Sequence, residues 1–490
     1  MPDAAVHNMR TISYPFLMGL FRRIGWRASW RVIGVRYASD LLYELTPEDL
    51  GLLGAEARRL KPRVVILNQR LPKKQLAAVR AAAPGARLVY WSLTEDLYAL
   101  AAHVRRRVPE ARGPALKDPR LLERIRPAYR RKVLNRAPWA ADPVIEVIGG
   151  HRCSYLGSVE RNPFYRDLGL PSTAMGCSFC TIPDLQRARW NIPDPAAFAA
   201  RQIAAACRQR PAPGAECRFD LTGFELWQDV ERLSRALIRL GVRAAELRFM
   251  PRLDELLHAR KALERVLPLL AENGIAVRVN GLGVENFSPE ENMRLHKGIT
   301  AEQVHEAAAF LIAANARHPA HFRLPHGGLS LILFTPWTRL EDLRINLDNF
   351  ERCPLIDQHF ALGRRLMLFP KAPVTLLAER DGLLAKAGES VFYNAGCKND
   401  ADRNEIPWRF AHPEVGVLWE FARRISSDRF NIPADDPALK AIDAFVKDTS
   451  KWPSSKPLDP LPILRKAIDA VERHPGIRST TELLERLRAS

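Results

Sequence analysis

The chain has no run of about 18 consecutive apolar residues, which argues against an ordinary membrane-spanning helix. It has no P-loop and no G-x-G-x-x-G, so phosphate binding of those two kinds has no support. Seven cysteines among 490 residues are too few for a disulfide framework. In a reducing compartment, isolated ones such as Cys207, Cys217 and Cys353 read as small buried hydrophobes, and a close group reads as metal-binding or redox-active. There is no internal repeat and no long low-complexity segment. The first residues lack a secretory pattern, so a cytoplasmic location is expected. Acidic residues are in deficit: 74 Lys and Arg face 55 Asp and Glu, a net charge of +19. Part of this excess is local, since 105–136 carries twelve basic and three acidic residues. That fits a polyanionic partner such as nucleic acid, or a solvated basic surface in an arginine-rich chain. Tyr129 alone falls in the run, which is no aromatic-studded signature of base stacking.

What is present is 47% hydrophobic residues, enough for a packed core in several domains. Residues 1–140 read as a small open-sheet α/β domain with a basic connection. Runs 63–68 and 87–91 are its short buried strands, and Thr46-Pro47-Glu48 is a helix start with a hydroxyl cap and proline at the first helical position. Residues 141–378 alternate strands and helices, which implies a parallel sheet or barrel. The strand candidates are 144–148, 217–221, 247–250, 277–284, 329–334 and 366–369. Ser288 with Glu291, Thr300 with Gln303 and Thr338 with Glu341 read as capping boxes that open helices. Residues 379–490 form a helical tail, with amphipathic stretches at 417–425 and 463–472, placed over the barrel mouth.

In such an alternation, chemistry belongs at the C-terminal strand ends. The first strand ends in Gly149-Gly150-His151-Arg152-Cys153, and the long loop that follows closes on Gly176-Cys177-Ser178-Phe179-Cys180. Two thiolates three residues apart can grip one metal centre, and Phe179 between them is an apolar shield. Thr222-Gly223-Phe224-Glu225 follows the second strand, Gly283-Val284-Glu285-Asn286 the fourth and Thr335-Pro336 the fifth. His151, Cys153, Cys177 and Cys180 also make up a tetrahedral zinc set, so zinc and iron–sulfur both stay open on these residues alone.

Over about 144–375 these motifs, in this order, resemble the radical S-adenosylmethionine superfamily. Gly176-Cys-Ser-Phe-Cys180 resembles the second half of its cluster loop, and Thr222-Gly-Phe-Glu225 resembles its GGE motif with Phe224 for the second glycine. The segments from Gly283 through Thr300 and from Leu331 to Asp342 are similar to its later strands. The resemblance implies a partial parallel (β/α)6 barrel in which three cysteines hold a 4Fe-4S cluster. S-adenosylmethionine on that cluster is cleaved by one electron to a 5′-deoxyadenosyl radical. It implies Phe179, Gly223, Glu225, Glu285 and Asn286 as cofactor-binding residues, and Cys177 and Cys180 as ligands.

The third ligand departs from the pattern. Where the superfamily has its first cysteine, this chain has Thr173. Cys153 is the nearest upstream, giving C-x23-C-x2-C with 154–176 as an inserted loop. The first domain is similar, more faintly, to the cobalamin-binding domain of one subgroup, although the DxHxxG motif is absent. Cobalamin is thus an optional second cofactor, favouring methyl transfer to an unactivated carbon. The implied partners are a small-molecule or peptide substrate and an external one-electron reductant of the flavodoxin or ferredoxin type. A zinc-stabilised nucleic-acid-binding module and a radical RNA-modifying enzyme are the alternatives.

Overall fold

The computed structural model describes residues 13–28, 30–32, 46–67, 73–90, 100–118, 121–129, 131–133, 144–149, 153, 155–180, 192–209, 216–221, 225–325, 329–386, 405–426, 436–449 and 460–489. The chain begins there with α1 (Ser13–Arg23), β1 (Trp30–Val32), α2 (Pro47–Leu60), β2 (Val64–Leu67), α3 (Lys73–Ala82), β3 (Arg87–Tyr90), α4 (Leu100–Arg107), α5 (Leu121–Arg124) and β4 (Arg131–Val133). β2 pairs with β3 and β1 with β4, both parallel. The start of α2 follows the sequence signal. Thr46 Oγ1 accepts from Asp49 N at 3.1 Å, and Asp49 returns a carboxylate oxygen to Thr46 N, also at 3.1 Å.

This unit is not an independent lobe. Phe16, Leu20, Val104 and Ile125 share one core with Ile148, Ile192 and Phe198 of the next unit. Gln209 clamps the connection, accepting from Tyr129 N and donating to Pro127 O at 3.1 Å.

The second unit comprises β5 (Ile145–Val147), α6 (Pro195–Gln209), β6 (Cys217–Leu221), α7 (Glu225–Gln228), α8 (Val230–Arg239), β7 (Ala245–Phe249), α9 (Leu253–Glu272), β8 (Ile275–Val279), β9 (Gly283–Glu285), α10 (Pro289–Arg294), α11 (Ala301–Arg317), β10 (Phe322–Arg323), β11 (Ser330–Leu331), α12 (Leu340–Arg352), α13 (Gln358–Ala361) and α14 (Pro373–Arg380). Five strands form one parallel sheet in the order β10-β8-β7-β6-β5. The fold is therefore α/β with a parallel sheet, as the alternation implies.

The structure departs from the sequence expectations in several places. The strand expected over 277–284 is two strands: β8 stays in the large sheet, while β9 pairs with β11 and bridges Arg252 beyond the end of β7. Residues 280–282 separate the two, and the β7–β8 ladder ends where Asn280 N donates to Phe249 O at 2.7 Å. The short β10 had no sequence signal, and residues 366–369 make only isolated bridges among the described residues. Helix α12 starts one residue late. Arg339 N donates to Asp342 at 2.8 Å, while Thr338 Oγ1 accepts from Thr335 N, so the Thr338–Glu341 box does not form.

One sheet face is apolar. Phe219, Leu221, Leu247, Phe249, Val277 and Val279 pack into the main core. On β6 and β7 the alternate positions, Arg218, Asp220, Glu246 and Arg248, are charged, on the opposite face that a period of two sets. Glu246, fully buried, sits among Arg248, Arg278 and Arg323, with Arg248 Nε at 2.6 Å. Burial pushes the Glu246 carboxyl up, but hydrogen bonding to Arg248 and the charges of the three arginines outweigh it and hold it below the usual range. A depressed carboxyl contributes stability that is full above the unfolded value of about 4.3 and is lost as the pH falls through the folded value. We expect Glu246→Gln to cost about 2 kcal/mol at neutral pH, limited because the arginines reach solvent. The variant should also lose less stability than wild type on acidification. Urea midpoints across the acid range check this, and parallel curves would contradict it.

The tail contains α15 (Pro413–Ile425), α16 (Pro437–Thr449), α17 (Pro460–Arg473) and α18 (Thr480–Ala489). Its α17 buries Leu461, Leu464, Ile468 and Val471. On its polar edge Arg465 meets Asp348 at 2.6 Å, and Asp469 meets Arg344 at 2.8 Å. Those partners lie on α12, so α17 packs against an outer helix of the α/β unit rather than over the strand ends. No helix among the described residues is long and apolar enough to cross a membrane.

Candidate functional site

The inserted loop is closed at its neck. Gly176 N donates to Gly157 O at 2.9 Å, Val159 N donates to Ala174 O at 3.0 Å, and Ser158 bridges Met175 in antiparallel fashion. The direct path from Cys153 to Cys177 across this neck passes only residues 154–157 and 176. A 23-residue spacing in sequence is thereby a short one in space.

Ser178 anchors the second half of the loop. Its N donates to Leu295 O at 3.0 Å, its Oγ to Arg294 O at 2.9 Å, and its O accepts from Val374 N at 3.1 Å. Cys180 N donates to Cys177 O at 3.1 Å and closes the turn. Cys177 is buried, while Cys153 and Cys180 are half-buried. Burial pushes the Cys153 thiol up against a backbone hydrogen bond from Tyr155 and the charge of Arg252, while the nearby Cys177 and Glu255 push the same way as burial. Cys153 and Cys177 thus lie within electrostatic reach of each other. Phe179 is half-buried against the main core.

Glu285 reaches the same place from the end of β9. It has a left-handed backbone at φ +69, a strained conformation for a non-glycine residue. Its Oε1 accepts from Lys297 Nζ at 2.7 Å, and both residues are buried. Burial works against the Lys297 ammonium, but Glu285 and Cys177 outweigh it and raise its pKa. The ammonium also lies 6.0 Å from the Phe179 ring centre. Gly283 leaves room for the pair, because a Cβ there would stand 2.5 Å from Glu285 Oε1 and 2.7 Å from Lys297 Nζ.

Asn286 does not join the site. Its Oδ1 accepts from Ser288 N at 2.9 Å and Asn346 Nδ2 at 2.8 Å, and its Nδ2 donates to Ile332 O at 2.9 Å. The amide is used to join β9 to α10, β11 and α12, with the residue fully buried. Gly223 and the side chain of Glu225 lie outside the described residues, as does His151; Glu225 itself begins α7.

Two residues without a sequence-level role complete the rim. Arg252 caps the start of α9 and lies beside Gly283. Its Nη1 donates to Cys177 Sγ at 3.2 Å, and its guanidinium lies 4.2 Å from the centre of the Tyr155 ring. Tyr155, in the inserted loop, presses on Gly298 at φ +70, where a Cβ would stand 2.8 Å from the tyrosine hydroxyl. Arg252 had a signal that strand-end reasoning could have used: it follows the third strand as Glu225 and Glu285 follow the second and fourth.

Among the described residues no three His, Cys, Asp or Glu side chains converge as ligands of a single ion. Three cysteine thiolates are the donor type that an iron–sulfur cluster takes.

No protein-family model matches the chain, and no curated protein matches it. Solved structures do. A structure of the cobalamin-dependent S-adenosylmethionine radical enzyme OxsB with aqua-cobalamin and S-adenosylmethionine bound superposes with a TM-score of 0.50 at 11% identity, covering 98% of this chain and 84% of that one. Apo OxsB gives 0.48 at 13% identity, covering 90% and 68%. The first of these carries the comparison, and at such identity it speaks to architecture. The chain shares the fold of a cobalamin-dependent S-adenosylmethionine radical enzyme.

Proposed function

We propose that this chain is a radical S-adenosylmethionine enzyme, with Cys153, Cys177 and Cys180 holding a 4Fe-4S cluster. The observation that supports the reading is the closed neck at Gly157 and Gly176, which shortcuts the insertion, with Cys153 and Cys177 within electrostatic reach of each other. Bound there, the cluster would supply the electron that cleaves the carbon–sulfur bond of S-adenosylmethionine reductively.

The chain's own residues bind and shield. Phe179 excludes water on one side of the cysteines. Lys297 neutralises Glu285 and so keeps a carboxylate in a buried rim. Gly223 and Glu225 are assigned to the methionyl end of the cofactor by their place after β6. Asn286 drops out of the binding set.

Cobalamin is the proposed second cofactor, because the OxsB structure of like fold holds it. Methyl transfer to an unactivated carbon is the reaction assigned to the loaded protein. The substrate is proposed to be a small molecule or peptide, and the electron to come from a flavodoxin- or ferredoxin-type donor.

Anaerobic reconstitution followed by incubation with dithionite and S-adenosylmethionine tests the proposal. Slow release of 5′-deoxyadenosine is expected even without substrate, and S-adenosylhomocysteine when cobalamin is added. Absence of both products from protein loaded with iron would contradict it.

A further inference from the structure

We propose that Arg252 is a positioning residue that raises the reduction potential of the cluster by donating an N–H to the Cys177 sulfur. The inference rests on the functional reading above. The guanidinium is buried, at 4% exposure, and pinned on several sides. Nε donates to Asp254 Oδ1 at 2.9 Å, and Nη2 donates to Lys297 O at 2.9 Å and to Asp254 Oδ2 at 3.3 Å. The ring of Tyr155 covers the guanidinium. Nη1 donates to Cys177 Sγ at 3.2 Å.

The backbone of Arg252 is fixed as firmly. Its N donates to Glu255 at 3.1 Å, and its O accepts from Leu256 N at 2.9 Å. The fork is therefore held before any metal arrives. Hydrogen bonds to ligating sulfur and positive charge nearby both favour the reduced state of an iron–sulfur cluster, because they stabilise the added electron. Lysine would keep the charge but lose the fork that reaches Asp254, Lys297 O and the sulfur together.

The test compares reconstituted full-length wild type, Arg252→Met and Arg252→Lys. Iron content is measured first. The reduced fraction is then followed by electron paramagnetic resonance at a series of fixed potentials. Where the wild-type cluster is half reduced, we expect the reduced-to-oxidised ratio of Arg252→Met to be about tenfold lower, equivalent to 59 mV for a one-electron couple. Arg252→Lys should fall between.

Full iron in Arg252→Met with an unchanged titration would overturn the proposal. If the methionine variant takes no iron, the lysine variant decides by the same criterion. If neither loads, Arg252 assembles the site rather than tuning it, and the proposal fails. A wild type that takes no iron removes the functional reading and this inference with it.

Discussion

Cys153→Ala is expected to fold normally and to retain almost no iron, against about four irons per chain for wild type. Cys153 is half-buried and small, so its loss should cost little stability. Its loss also leaves only two thiolates at the neck. Cys353→Ala is the control. That thiol is buried at the end of α12, outside the loop that carries Cys153, Cys177 and Cys180. It should retain the full iron content. Iron and sulfide assays on anaerobically reconstituted protein read the difference. A Cys153→Ala protein with its full cluster would move the third ligand elsewhere and remove the role assigned to the inserted loop.

Lys297→Met should be the most destabilising single change at the rim, by about 3–5 kcal/mol. Lys297 and Glu285 are 5% and 6% exposed, so neither can swing into water when its partner is removed. The glutamate would lose its hydrogen-bond and charge partner in a buried, left-handed position. Lys297→Met combined with Glu285→Gln should regain much of the loss, because no uncompensated charge is left. Denaturant unfolding of the three proteins measures this. A single variant within about 1 kcal/mol of wild type would show that the pair is solvated and contributes as an exposed ion pair does.

The sequence made some of this site visible for identifiable physical reasons. Cys177 and Cys180 announce themselves by spacing, and Cys153 by following a strand through a glycine pair. Glu285 follows from its strand end, but its strain and its lysine partner do not, since neither leaves a pattern. Asn286 misleads because an amide can serve a cofactor or a backbone equally well. Here three protein partners hold it. Arg252 hides among many arginines, and only the geometry distinguishes an N–H aimed at sulfur from a surface charge.

For the fold, the apolar alternation of β6 and β7 and the full capping box at Thr300 were legible. The break between β8 and β9 was missed, although Asn280-Gly281, a turn-forming pair, lies inside the expected strand. The short β10 has only two residues, too few for any period. The tail's helices were legible as amphipathic stretches, but their docking on α12 depends on charge pairs more than 100 residues apart.

The measurement that bears most directly on the central claim is electron paramagnetic resonance of the anaerobically reconstituted, reduced wild type, with and without S-adenosylmethionine. The account predicts a brown protein with about four irons and a reduced-cluster signal that changes when S-adenosylmethionine is added. A colourless protein holding a single zinc, or a cluster signal indifferent to S-adenosylmethionine, would contradict it.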